Sequence, residues 1–160
     1  MLCNQIAADS EAFWSNVPDG NLCIFTRIGL PKALYTPETT AFIEKYTAKT
    51  GKAEAESYAM EAYDSLKLMA QAINEAGATD GDSVINALEN ISYNGALGTV
   101  TFPYGVNNPV PEDMAAKWWH QFPDPAITLV QYQAVGQDVA DASVVFPDTY
   151  KTADPILAGR

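Results

Sequence analysis

The 160-residue chain has few basic side chains and one histidine, and both shortages restrict what it can bind or catalyse. Nine lysines and arginines stand against 20 aspartates and glutamates, giving a formal net charge of −11. Nucleic acid and anionic membrane surfaces both require a basic face on the protein, so the composition argues against these partners. Because His120 is the only histidine and no Gly-x-Ser-x-Gly elbow is present, Ser–His or Cys–His catalysis would have to use His120.

Long apolar runs and additional cysteines are also missing. No stretch approaches the ~20 consecutive apolar residues of a membrane-spanning helix. The two cysteines, Cys3 and Cys23, could form a disulfide in an oxidising compartment or remain two thiols, and their spacing leaves both possibilities open. Neither cysteine has a partner at zinc-ligand spacing, so we expect no metal site.

Local signals predict four helices in the first 91 residues. Asp9 is a plausible N-cap for a short helix that ends at Asn16. Thr36-Pro37 begins a second helix that Gly51 ends. The third and longest helix covers 56–77, and the fourth covers 79–91. Steps of three and four residues predict that the longest helix buries one face, made of Ala59, Ala62, Leu66, Met69 and Ile73.

Strand signals occur at both ends of this helical region. The apolar run Leu22–Thr26 is typical of a strand buried on both faces in a parallel sheet. After a predicted turn at Tyr93-Asn94-Gly95, three more strands are expected, at 97–102, 126–133 and 143–146. Helices interleaved with buried strands predict an α/β fold in covered layers.

Four residues are candidates for ligand contact, three at the start of the longest helix and one after the first strand. Glu56, Ser57 and Tyr58 lie at the start of the longest helix, where free N–H groups suit a carboxylate. The alternative is that Ser57 caps the helix and Tyr58 packs against the next element. Arg27 is expected in the loop after the first strand, where ligands of open α/β sheets collect, or it is a surface or salt-bridge residue.

Two further groups could suggest chemistry. Glu61 and Asp64 are three residues apart on one helix and invite an acid–base interpretation, but no nucleophile or metal ligand is near, so we expect a solvated face. Trp118-Trp119-His120 could form a platform for an aromatic ligand. The alternative is that the two tryptophans cover apolar surface.

Five segments, in order, resemble the branched-chain amino-acid binding proteins, which are type I periplasmic solute-binding components of ABC transporters. Each segment alone is moderately specific, but the ordered set is much stronger. The segments are FIEKYTAKTGK (42–52), SYAMEAYDSLKLMAQAINEAG (57–77), ATDGDSVINALENI (78–91), YNGALGTVTF (93–102) and HQFPDPAITLVQY (120–132).

This resemblance implies part of a type I periplasmic-binding-protein fold, a layered α/β/α structure with pieces of two lobes. Residues from about 1 to 50 and from about 96 to 160 would belong mainly to the C-terminal lobe, and about 51–95 to the N-terminal lobe. The upstream segments that carry most ligand-gripping residues are absent, so we expect a C-terminal fragment without a complete cleft. The lack of a signal peptide at Met1–Asn4 agrees with this expectation.

The resemblance also implies capture of a solute without chemistry. Two lobes would close on a small polar solute, such as leucine, isoleucine or valine, and present it to an ABC permease, using no cofactor, metal or nucleic acid. The location would be periplasmic or extracellular, with a lipid anchor as an option. The resemblance places cleft-facing side chains at the start of the longest helix, so Tyr58, Glu56, Ser57 and Arg27 are the predicted ligand-binding residues. The alternatives are a ligand-sensing receptor domain of the same fold and a small hydrolase that uses His120.

Overall fold

A computed structural model describes residues 2–3, 5–10, 12–29, 32–51, 57–123 and 125–157. Its elements form two groups with separate apolar clusters. One is a three-stranded sheet with short helices, and the other consists of three longer helices with a two-stranded hairpin. The helices are α1 Gln5–Ala8, α2 Phe13–Asn16, α3 Pro37–Thr50, α4 Ser57–Ala76 and α5 Gly81–Asn90. The strands are β1 Ile24–Ile28, β2 Ser92–Gly95, β3 Gly98–Thr101, β4 Ile127–Gln131 and β5 Ser143–Phe146.

The larger sheet has the order β1-β4-β5, and both pairings are antiparallel. The prediction of a parallel sheet is therefore wrong for these strands, and within the described ranges the only parallel contact of β1 is an isolated bridge from Leu2 to Ile24. Strand β1 buries Phe25 and Arg27 on one face, and the residues on its other face are only partly buried. Burial on one face is typical of antiparallel sheets, whereas strands of parallel sheets are buried on both faces. An apolar run indicates burial but does not determine strand direction.

The sheet packs its buried face against the short N-terminal helices. Phe25, Val130 and Val144 form a core with Phe13, and the Tyr132 hydroxyl donates a hydrogen bond of 2.8 Å to the carbonyl of Ala8. Cys3 and Cys23 form a disulfide beside this core, with their Cα atoms 5.8 Å apart. The structure thus selects one of the two states that the cysteine spacing left open.

Most predicted helix boundaries are confirmed. Thr36 caps α3, because its side chain accepts the N–H of Thr39 at 3.1 Å, and Gly51 ends the helix with a φ of 72°. Asp80 caps α5 by accepting the N–H of Ser83 at 3.0 Å. The predicted N-cap role of Asp9 is wrong, since α2 begins four residues later, and Asp9 is instead buried beside the Arg27 guanidinium.

The buried face of α4 differs from the predicted one. Its buried positions recur every fourth residue and are Met60, Asp64, Leu68 and Ala72. Leu66 and Met69 were predicted to be buried but are 73% and 44% exposed. The reason is that α5 and β3 pack against the Leu68 side, so tertiary contacts choose between two partly apolar stripes of the same helix. On α5, Ile85 is exposed, whereas its neighbour Val84 is buried.

The hairpin β2–β3 also departs from the prediction at its turn. Tyr93, Asn94 and Gly95 lie in strand β2, paired with β3, and the chain reverses at Ala96 and Leu97. These two residues lack the usual turn side chains. Their backbone N–H groups are held by a side chain from α4, which explains how an Ala-Leu turn is stable here.

Candidate functional site

Asp64 connects α4 to the hairpin turn. Its carboxylate is 3% exposed and accepts the N–H of Ala96 at 2.9 Å, the N–H of Leu97 at 2.8 Å and the hydroxyl of Tyr93 at 3.3 Å. Burial and the neighbouring Asp64 charge raise the pKa of Tyr93 to about 12. The expectation that Asp64 lies on a solvated face is therefore wrong. A Cβ on Gly95 would collide with the Asp64 carboxylate and the Tyr93 ring, so this position requires glycine.

A second contact joins α3 to the same turn. The fully buried Thr39 donates its hydroxyl to the carbonyl of Ala96 at 2.9 Å. Phe42, Met60 and Ala96 form an apolar cluster around this bond. Helices α3 and α4 thus both bond to the same turn, and this convergence sets the position of the N-terminal half of α4.

The first residues of α4 are the predicted ligand-binding segment. Ser57 is the first residue of the helix, and Tyr58 follows it with 41% of its surface exposed. Tyr58 belongs to none of the apolar clusters formed by the described residues. The side chain is therefore available for contact with another group. Glu56 lies outside the described residues.

Arg27 is in strand β1 and not in the loop after it, so the predicted placement is wrong. It is 9% exposed, pairs across the sheet with Thr128, and its Nε lies 3.9 Å from Asp9 Oδ1. A buried guanidinium needs such a carboxylate partner, which accounts for the inward orientation. None of the described contacts joins Arg27 to Tyr58.

Arg27 lines an open cavity of about 390 Å³ on the sheet, together with Lys32, Tyr35 and Asp141. Lys32 forms an ion pair of 2.6 Å with Asp141 across its rim. Both cations of this cavity therefore have an acidic neighbour already. That pairing weakens the cavity as a site for an anionic ligand.

A second cavity, of about 300 Å³, lies between the end of β1, helix α4, the hairpin and the segment that enters β4. Its walls are mostly apolar, but Glu61 and Ser65 of α4 also line it. Burial raises the pKa of Glu61, and the nearby Asp9 charge raises it further. Sequence reasoning placed Glu61 on a solvated face, because its cavity is built from elements far away in the chain.

His120 contacts the carboxylate of Glu89. Its Nε2 lies 2.8 Å from Oε1 of Glu89, whose side chain is 5% exposed. Glu89 also accepts the N–H groups of Val106 at 2.7 Å and Asn107 at 3.1 Å, and these bonds lower its pKa to about 2. In the part of the chain that the structure describes, no hydroxyl or thiol bonds to His120. The pair holds the irregular segment after β3 against α5.

Comparison with known proteins identifies relatives of this arrangement. The sequence model of the family described as periplasmic binding protein matches residues 23–118, more than half of the chain. Among curated proteins, no sequence matches the chain significantly. Several solved structures match it, with sequence identities low enough that the likeness shows the fold alone.

Three of these structures illustrate the match. A protein of Silicibacter pomeroyi described as a branched-chain amino acid ABC transporter has a TM-score of 0.63 and 17% identity, over 92% of this chain and 38% of its own. The substrate binding protein LivJ of Streptococcus pneumoniae, in complex with isoleucine, has a TM-score of 0.58 and 18% identity, over 83% and 32%. The leucine binding protein LivK of Thermotoga maritima has a TM-score of 0.58 and 20% identity, over 86% and 34%. The chain spans roughly a third of the length of these relatives.

Proposed function

The chain belongs to the periplasmic binding protein family, and from this membership we propose that it is part of the substrate-binding component of an ABC import system. In this function two lobes close on a small polar solute, and contact with both lobes shifts the population toward the closed state. A branched-chain amino acid is the proposed solute, because the similar solved structures carry that description and one contains isoleucine. The solute is released unchanged.

The observation that carries the proposal is the family match across α3, α4, α5 and the hairpin. Within this region Tyr58 is the leading candidate for ligand contact, since it is exposed and lies at a helix start. Ser57 and Glu56 are its proposed neighbours in the site. Arg27 is a weaker candidate, because Asp9 already lies beside its guanidinium.

Location and partners follow from the same membership. We place the protein in the periplasm, or outside the cell, with a membrane permease as its partner. None of the helices in the described ranges combines the length and the apolar character that crossing a membrane demands. We assign about 51–95 to one lobe, and about 1–50 and 96–160 mainly to the other. The net charge of −11 is consistent with a dispersed, soluble binding component.

We further propose that the protein performs no catalysis. The support is the Glu89–His120 pair, whose carboxylate is already engaged by two backbone N–H groups of the neighbouring loop. A His120→Ala variant checks this point on a panel of esters and amides. We expect no turnover from either protein, and turnover that disappears in the variant would favour a hydrolase.

The decisive experiment identifies the ligand of the native polypeptide. Antibodies raised against the 160-residue chain capture the polypeptide from its natural host, and mass spectrometry identifies the small molecules released on denaturation. We expect branched-chain amino acids among these molecules. Calorimetric titration of the same polypeptide with the amino acid found should then show weaker binding by the Tyr58→Ala variant than by the unaltered protein. Trp119→Ala is the matched control, since Trp119 is an equally exposed aromatic residue at 42%. Absence of any amino acid, or equal affinity of both variants, would count against the proposal.

A further inference from the structure

The cavity of about 300 Å³ lies where the sheet meets the helical part of the molecule. Gly29 follows β1, and a Cβ placed on it would lie 3.7 Å from Leu97 Cδ2 and 3.8 Å from Met60 Sδ. A side chain at this position would thus touch both α4 and the hairpin, which shows how closely the carboxyl end of β1 approaches them. This edge of a sheet is the usual place for a ligand in open α/β structures, and the volume is within the range of small-molecule sites.

The lining of this cavity combines an apolar wall with negative charge. Its larger apolar side chains are Ile28, Leu68, Leu97, Val100, Phe102 and Phe122. Glu61 and Asp64 are the charged residues among those that line it, and neither lysine nor arginine is in this described set. Asp64 is already occupied by the turn of the hairpin. The carboxylate of Glu61 therefore remains as the group that can bind a ligand.

Glu61 differs in this respect from the other acidic groups nearby. Within the described ranges it has no hydrogen bond and no ion pair, whereas Asp9 has Arg27 as a neighbour. Burial raises the pKa of Glu61 first, and the Asp9 charge adds to the effect. No lysine or arginine lines the cavity, so the ionised carboxylate has no cation beside it among these described residues. A ligand that brings a positive charge would supply one.

We propose that this cavity binds a small primary alkylamine, with its ammonium group on Glu61 and its alkyl body against Leu68, Val100 and Phe122. The volume is at the lower end of the range of small-molecule sites, so we expect a small ligand. The carboxylate of an amino acid would face Glu61 and Asp64 without a basic partner, so the cavity discriminates against amino acids. Because Gly29 and Glu61 lie in segments that we assign to different lobes, the cavity adjoins the proposed cleft, and leucine is included in the test to tell the two sites apart.

The test uses four molecules that share one branched body. They are 3-methylbutylamine, 3-methylbutanol, 3-methylbutanoate and leucine, titrated into the 160-residue chain and followed by calorimetry and NMR. We expect the amine to bind, and the alcohol, whose uncharged hydroxyl forms a weaker bond to the carboxylate, to bind roughly tenfold more weakly. The anion should not bind, and leucine should not displace the amine.

Two variants and one control locate the site. Glu61→Gln keeps the shape of the side chain and should reduce the affinity for the amine to about that for the alcohol, with a smaller effect on the alcohol. Ser65→Phe should block the cavity and abolish binding of both molecules. Glu44→Gln, on the exposed side of α3, is the matched control and should bind like the unaltered chain. Melting curves confirm that each variant is folded.

Three results would overturn the inference. The first is an unaltered chain that does not bind the amine. The second is equal affinity for amine and alcohol, which would show an apolar crevice without charge recognition. The third is amine binding that survives Glu61→Gln or is displaced by leucine. Leucine binding that leaves the amine in place would instead concern only the proposed capture function.

Discussion

Replacing Asp64 by alanine should destabilise the chain more than an alanine substitution at any exposed position of α3 or α4. The change leaves two buried N–H groups, those of Ala96 and Leu97, without the carboxylate that lies 2.9 and 2.8 Å away. An orphaned buried donor costs about 1–3 kcal/mol. We therefore expect Asp64→Ala to lower the free energy of unfolding by about 4 kcal/mol. The partly buried Tyr93 hydroxyl can turn toward water and should add little.

Two further variants make this expectation quantitative. Asp64→Asn retains one acceptor oxygen and should cost about half as much, near 2 kcal/mol. Glu44→Ala, at an exposed position of α3, should stay within about 0.5 kcal/mol of the unaltered chain. Urea unfolding followed by circular dichroism gives the three free energies, and a constant m-value shows that the comparison is valid.

A local measurement separates the proposed cause from general damage. Amide hydrogen exchange of Ala96 and Leu97 should accelerate in Asp64→Ala before the amides of the β1-β4-β5 sheet do. The reasoning fails if Asp64→Ala costs less than about 1 kcal/mol, in the range of Glu44→Ala. It also fails if the exchange of the two turn amides is unchanged.

Other predictions concern titration, the disulfide and a helix cap. The pKa of Glu89 is about 2 in the folded chain and 4.5 ordinarily, so its ionised carboxylate stabilises the fold above pH 4.5 and this stabilisation is lost toward pH 2. The difference in melting temperature between the unaltered chain and Glu89→Gln should therefore disappear between pH 4.5 and pH 2. A difference that stays constant over this range would contradict the prediction. The phenol absorbance of Tyr93 should titrate near pH 12. The protonated hydroxyl contributes its full stabilisation below pH 10, and this contribution should be lost as the pH rises from 10 to 12. A midpoint near 10 would refute the burial of this hydroxyl. The Cys3→Ser, Cys23→Ser double variant opens a loop spanning 20 positions and should lose about 3 kcal/mol in urea unfolding, with reductant having no further effect on it. Thr36→Ala removes the capping box of α3 and should cost about 1 kcal/mol by the same measurement, whereas no loss would show that the cap is dispensable.

Helix boundaries were predictable from the sequence because their chemistry is local. Thr36 bonds a residue three positions away, as does Asp80, and Gly51 needs only its own backbone freedom. The buried face of α4 was not predictable in the same way. Leu66 and Leu68 are equally apolar, and only contacts with α5 and β3 decide that Leu68 is buried.

The candidate site was predictable in part for a related reason. The start of α4 at Ser57 was close to the prediction, so the exposed position of Tyr58 at a helix start followed from local signals. Asp64 and Glu61 were misplaced because their surroundings come from distant segments, with Ala96 lying 32 positions after Asp64. The sequence alone does not bring such segments together.

The close approach of Gly95 to Asp64 and Tyr93 has a consequence for how this chain can evolve. Any side chain introduced at position 95 would need the space that the carboxylate of Asp64 now fills, and a shorter residue at position 64 would release the two amides it holds. Neither position can drift alone without loss of stability, so the two should change as a coupled pair or stay as they are. Directed-evolution libraries that vary one of them while keeping the other constant will therefore return mostly the parental residue.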